Sequence, residues 1–138
     1  MARWTCPRCD REFDRANQSH TCQPGNDIED TFAGFPDAHR AVCAAIVAYL
    51  RTLGPVHVDA VRVGVFLKTQ RKLAEVRPKT RWVSLELVLP TTLQSPRVTR
   101  HARLSEDRVV HWIRLVRPED IDDELETWLR LAYDAATD

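Results

Sequence analysis

The chain has 138 residues, enough for one ordinary domain or for a small metal-held unit plus a domain of about 110 residues. Apolar residues make up 43% and charged residues 29%, which is globular composition rather than disorder, and no apolar run approaches the ~18 residues of a membrane helix. The net charge of zero hides a partition: residues 1–26 sum to +1, 27–60 to −3, 61–117 to +9 and 118–138 to −7. Asymmetry of this kind says more about partners than the overall balance does. Met1-Ala2-Arg3-Trp4 opens without the apolar stretch of a secretory signal, so a cytoplasmic location is expected.

The first unit is Trp4-Thr-Cys-Pro-Arg-Cys through His20-Thr-Cys22. Zinc takes four soft or borderline ligands at tetrahedral corners, and a Cys-x2-Cys turn supplies two thiolates at once. Cys6 and Cys9 form that turn, and His20 and Cys22 follow after ten intervening residues. Alternate residues of an extended segment point the same way, so the tight His-x-Cys spacing still converges on one ion. Phe13 lies between the two pairs, where it can pack over the metal. A redox Cys-x2-Cys normally opens a helix after a strand, and the pattern leads one to expect no strand before Cys6, six residues into the sequence. A disulfide does not suit a reducing compartment. One structural zinc held by Cys6, Cys9, His20 and Cys22 is therefore expected, with no open position for a substrate.

Gln23-Pro-Gly-Asn26 is rich in turn residues and sets the expected boundary between a zinc knuckle, 1–26, and a second domain, 27–138. Residues 27–35 read as a short helical turn or a clamp between the two. Pro36 and Asp37 open a helix over 37–53, with Val42, Ile46, Tyr49, Leu50 and Leu53 on one face and Gly54-Pro55 as its stop. Cys43, inside it, reads as a small buried hydrophobe.

Five strands are expected next. Val61 to Lys68 alternates Val61, Val63, Val65 and Leu67 with other residues, and Leu73 to Val76 is a second strand ended by Pro78-Lys79. Trp82 to Leu89, Val98 to Leu104 and Val109 to Val116 complete the set, the last with Val109, His111, Ile113 and Leu115 on one side. Short strands with close turns predict an antiparallel meander. Pro118-Glu119-Asp120 opens the last helix, with Ile121, Leu125, Trp128, Leu129 and Ala132 as its core stripe. The expected fold class is α+β: a zinc knuckle, then an antiparallel sheet of about five strands flanked by two main helices.

Several of these residues carry a family resemblance. Trp4-Thr-Cys-Pro-Arg-Cys, Phe13-x-Arg15, Asn17-Gln18-x-His20 and Cys22 resemble the N-terminal CCHC zinc knuckle attached to many proteins of the bacterial "domain of unknown function 5655" family. Phe66, Leu73-Ala74-x-Val76, Arg81-Trp82, Ser95-Pro96-Arg97, His111, Arg117-Pro118-Glu119-Asp120 and Leu129-x-x-Ala132-Tyr133 resemble the domain itself. The resemblance covers nearly the whole chain. It implies the domain but no established activity, although relatives occur in predicted transport proteins and beside nuclease-like domains. Trp112 stands where relatives often carry a second His after His111.

Three functions are compatible with these features. The +9 region suits nucleic acid or another polyanion, with Trp82 and Trp112 as interleaved aromatics that can stack on bases; the acidic last helix could instead cover and neutralise that region. A cleft lined by two or three convergent cations suits a protein partner or a small carboxylate or phosphate. An enzyme is the weakest of the three. There is no nucleophile elbow and no Gly-rich phosphate loop, Glu86 has no Lys two residues on, and His101 and His111 are the available acid and base. The expectation is a non-enzymatic anion-binding module without a membrane role, its candidate anion-binding residues being Lys68, Arg71, Arg81, Trp82, Arg97 and His111.

Overall fold

The computed structural model describes residues 3–7, 12–18 and 27–137. Strands β1 (Trp4–Thr5) and β2 (Glu12–Phe13) form a small hairpin, followed by helices α1 (Ile28–Phe32) and α2 (Asp37–Leu53). Strands β3 (His57–Val61), β4 (Gly64–Lys68), β5 (Lys72–Pro78), β6 (Val83–Leu89), β7 (Val98–Ser105) and β8 (Arg108–Leu115) come next. A 3-10 turn at Pro118–Asp120 leads into α3 (Asp123–Thr137). Strands β3 to β8 make one antiparallel sheet in the order β3-β4-β5-β6-β8-β7. The architecture is α+β, with the apolar faces of α2 and α3 packed on one side of the sheet.

Each helix follows from local chemistry. Asp27 caps α1 by accepting from the Asp30 N–H at 2.8 Å, and the Asp30 carboxylate accepts from the Asp27 N–H in return. Thr31 Oγ1 then donates to the Val61 carbonyl at 2.7 Å, fastening this short helix to the β3 edge. In the predicted α2 stripe Val42, Ile46 and Leu50 have no exposed surface, while Tyr49 and Leu53 are partly buried at its edge; Cys43 is fully buried as well. Burial pushes the Cys43 thiol up to about 12, so it behaves as a small apolar side chain.

The last helix starts later than the Pro-Glu-Asp signal suggests. Asp120 turns its carboxylate back to accept from the Val116 and Arg117 N–H groups at 2.7 and 3.2 Å, which closes a separate turn. Asp122 accepts from the Leu125 N–H at 3.0 Å and is the acid that starts α3.

Two features of the sheet differ from the sequence expectation. The alternating run 61–68 is a hairpin: Val61 pairs with Gly64 across Arg62-Val63. The sixth strand, β3, escapes pattern reading because Asp59 interrupts its apolar residues. Asp59 is nonetheless only 5% exposed, with Lys68 Nζ at 3.5 Å. The N-terminal hairpin reaches this same end of the sheet: Glu12 pairs with His57 at 3.2 Å, Arg3 donates to the Thr69 carbonyl, and Lys68 lies 5.6 Å from the Phe13 ring centroid.

The sheet is also not a simple meander. Strand β8 inserts between β6 and β7, so the connection 90–97 must return along the sheet before β7 begins. His111 fixes that crossover. It sits on the helix-side face of β8 with no exposed surface, and its Nε2 accepts from the Leu93 N–H at 3.0 Å. Its Nδ1–H donates to the Val109 carbonyl at 3.1 Å.

Candidate functional site

The face of the sheet turned away from the helices is read by following the register. Across one row Asp59 faces Phe66, Phe66 faces Glu75, Glu75 faces Glu86, Glu86 faces Trp112 and Trp112 faces Arg100. In the next row Arg77 faces Ser84 and Ser84 faces Arg114. Residues directly opposite in an antiparallel pair share a face. These side chains therefore form one continuous surface.

Its β5 side is electrically closed. Glu75 is 2% exposed; Arg77 Nε pairs with it, and Lys72 Nζ reaches it at 3.0 Å. The same Arg77 lies 3.3 Å from Glu86. Two acids and two bases make a neutral block. Burial, and then the neighbouring Glu75 carboxylate, raise the pKa of Glu86 above the ordinary carboxylate range.

Its β8 side is open and positive. Lys79, Trp82, Ser84, Thr99, Arg100, Trp112 and Arg114 line a groove of about 310 Å³. The Arg100 guanidinium carbon lies 4.0 Å from the Trp112 ring centroid, and that of Arg114 lies 4.1 Å from the Trp82 centroid. Both are within cation–π range. No carboxylate of the described residues pairs with Lys79, Arg100 or Arg114. All three are exposed.

A bulge makes the Arg100–Trp112 stack possible. Ser105 pairs with Arg108, but from Arg103 on the register shifts by one residue, so that Arg100 meets Trp112. Without the shift Arg100 would face Ile113 and turn to the core side, because a one-residue slip exchanges the faces of a strand.

The six residues expected from sequence do not converge. Trp82 lines the groove and Arg81 is exposed in the adjoining β5–β6 turn. Lys68 is in the ion pair with Asp59, between the Phe13 and Phe66 rings. Burial lowers its pKa below the usual lysine value. Arg71 closes the end of α3, its backbone N–H donating to the Ala136 carbonyl at 3.2 Å and its guanidinium to the Ala135 carbonyl at 2.8 Å. Arg97 pairs with Asp122 at 2.8 Å and Glu124 at 3.3 Å, and donates to the Asp120 carbonyl at 2.6 Å. The acidic helix thus neutralises Arg97 and leaves the groove on the opposite face uncovered. His111 lies in the core. Lys79, Ser84, Thr99, Arg100, Trp112 and Arg114 complete the groove, and the signal for Trp112 and Arg114 is the alternation Trp112-Ile113-Arg114 on a strand.

Of the four expected zinc ligands, Cys9, His20 and Cys22 lie outside the described residues. Cys6 is 3% exposed and packs with Phe13, at 5%, and with Trp4. Among the described residues no group of three or more His, Cys, Asp or Glu is placed to hold a metal.

Fold and groove together define an α+β domain with an aromatic and cationic groove on the open face of its sheet. The family model described as "Domain of unknown function (DUF5655)" matches residues 28–136, and the chain belongs to that family. No curated protein and no solved structure matches it. No described helix is long and apolar enough to cross a membrane.

Proposed function

We propose that the chain is an anion-binding module, non-enzymatic and cytoplasmic, that takes its ligand in the groove between Lys79 and Arg100. The observation that carries this reading is the pair of guanidinium–indole stacks opening on one groove with three cations that no described carboxylate neutralises. A guanidinium held over an indole keeps N–H groups that match the oxygens of a phosphate or carboxylate. Binding is favoured over catalysis by the fate of the candidate acid and base. His101 is exposed, while His111 is buried with both ring nitrogens hydrogen-bonded.

The positive surface is short, because the Glu75–Glu86–Arg77–Lys72 block ends it at β6. That favours a ligand with two or three anionic groups over a long polyanion track. One structural zinc belongs to the same reading, with Cys6, Cys9, His20 and Cys22 as ligands. Its support is the burial of Cys6 beside Phe13, the apolar residue between the two ligand pairs. Titration of the zinc-loaded chain with short polyphosphate tests the anion site. Exchanging both groove arginines, Arg100→Gln with Arg114→Gln, is expected to weaken binding by at least tenfold. Unchanged affinity would remove the groove as the site.

A further inference from the structure

Resting on that anion-binding reading, we infer that the groove takes a single-stranded nucleic acid, two or three nucleotides at a time, with its bases stacked on the Arg100–Trp112 and Arg114–Trp82 planes. A simple phosphate site needs cations and backbone N–H groups; it has no use for two indoles on the floor. Here the carbon of each exposed guanidinium lies over an indole, 4.0 or 4.1 Å from its centroid. Each pair thereby holds a rigid planar surface toward the ligand. Flat surfaces of this kind, aromatic rings or guanidinium planes, are what unstacked bases seat on.

The two planes do not stand alone. Ser84 and Thr99 also line the groove; the Thr99 hydroxyl donates to the Trp112 carbonyl at 3.1 Å and keeps its oxygen as an acceptor. Lys79 stands at the Trp82 end as a third phosphate partner, and the volume of about 310 Å³ suits a short strand segment rather than a helix.

The same geometry disfavours a duplex. In a duplex the base faces are already stacked on one another, so the two planes would meet nothing. A duplex binder also needs a long run of cations, and the positive run here ends at the neutral Glu75–Glu86 block. Three free cations give a shallow salt dependence. At about 0.7 counterions per single-strand phosphate contact, the slope of log affinity against log salt is expected near −2.

The test uses the full zinc-loaded chain and four probes: a uridylate hexamer, a thymidylate hexamer, a 12-base-pair duplex and inorganic polyphosphate, with uridine monophosphate as competitor. One or both hexamers are expected to bind about tenfold more tightly than the duplex or the polyphosphate, and which of them binds better separates an RNA from a DNA source. Trp112→Ala and Trp82→Ala are each expected to weaken hexamer binding roughly tenfold at unchanged salt slope. Trp112→Phe, which keeps a ring, should retain most of the affinity, and this separates lost stacking from a misfolded variant. Arg114→Gln should make the slope shallower by about 0.7.

Polyphosphate binding as tightly as the hexamers, with both Trp variants unaffected, would overturn the nucleobase inference and leave the anion site standing. Equal binding of the duplex would overturn it as well. Uridine monophosphate matching the hexamer would make a free nucleotide the occupant and overturn the strand reading. Failure of every probe would remove the anion-binding reading itself.

Discussion

His39 Nε2–H donates to the carbonyl of Lys79 at 3.0 Å, so a side chain from the first turn of α2 holds the β5–β6 turn that carries Lys79, Arg81 and Trp82. The turn closes on itself through the Lys79 N–H and the Trp82 carbonyl at 2.8 Å. His39 is 3% exposed and stacks on Phe35, and its Nδ1 has no partner among the described residues. The residue therefore links the helix layer to one end of the groove.

Replacing it tests that link. His39→Ala removes a buried donor and leaves the Lys79 carbonyl unpaired, which costs about 2 kcal/mol of stability. Amide exchange at Lys79 is expected to speed up, and groove affinity to fall several-fold. His39→Gln, whose amide can still donate, should recover part of both. Loss of stability without faster exchange in the turn would mean that His39 matters only as packing.

His111 makes the crossover 90–97 sensitive to acid. Burial holds its pKa below the ordinary imidazole value of about 6.5. The neutral ring is required, because Nε2 must accept from the Leu93 N–H. The unfolded chain takes up the proton first, so stability is fully present above pH ~6.5 and falls as pH drops toward the lowered folded value. His57, also held low by burial, adds a second loss of the same sign, while the raised Glu86 works in the opposite direction at lower pH. The contribution of His111 is isolated by comparison with His111→Gln. That variant should be less stable at pH 7.5, and it should lose less than the wild type between pH 7 and 5 in urea unfolding. Parallel profiles would show that His111 is not the titrating group.

Much of this fold is readable from local pattern, and the reason it stops is physical. The bounds of α2 follow from Pro36-Asp37, the apolar stripe and Gly54, all of which act within a turn or two. The faces of β6 and β8 follow from alternation. The position of β8 between β6 and β7 does not, because it depends on an eight-residue connection and on a histidine that meets it from another strand. The groove shows the same limit. Trp82 and Trp112 stand out as aromatics in a basic region, but Arg97 and Arg100 look alike in sequence. Only the fold brings Asp122 and Glu124 to Arg97 and, through a bulge after Arg103, leaves Arg100 on Trp112.

Gly54 ends α2 with φ of +152°, and a Cβ built on it would overlap the Tyr133 hydroxyl. Tyr133, from α3, uses that hydroxyl to donate to the Pro55 carbonyl at 2.9 Å. The glycine thus permits a contact between the end of one helix and the flank of another. Gly54→Ala is expected to cost about 2–3 kcal/mol through strain and overpacking. Tyr133→Phe alone should cost about 1 kcal/mol for the lost hydrogen bond. Combined, the two should cost less than their sum, since removing the hydroxyl relieves the overlap. Additive losses in denaturant melts would place the strain elsewhere.

The zinc reading makes a separable prediction about the N-terminal hairpin. Trp4 pairs with Phe13 and Thr5 with Glu12, and a two-stranded hairpin this short is not stable in water by itself. Metal ligation is what is expected to hold it, since a small zinc unit has its folding free energy supplied largely by the ion. Among its links to the sheet are Glu12 with His57, Arg3 with the Thr69 carbonyl and Lys68 over the Phe13 ring. Chelation, or Cys9→Ser, should therefore release one zinc per chain and abolish amide protection at Trp4 and Thr5. The main unfolding transition of residues 28–136 should shift by only about 1 kcal/mol, the scale of partly exposed polar contacts. Collapse of that transition on chelation would mean that hairpin and sheet share one cooperative core, and a chain purified without bound metal that keeps the hairpin protected would remove zinc from the account.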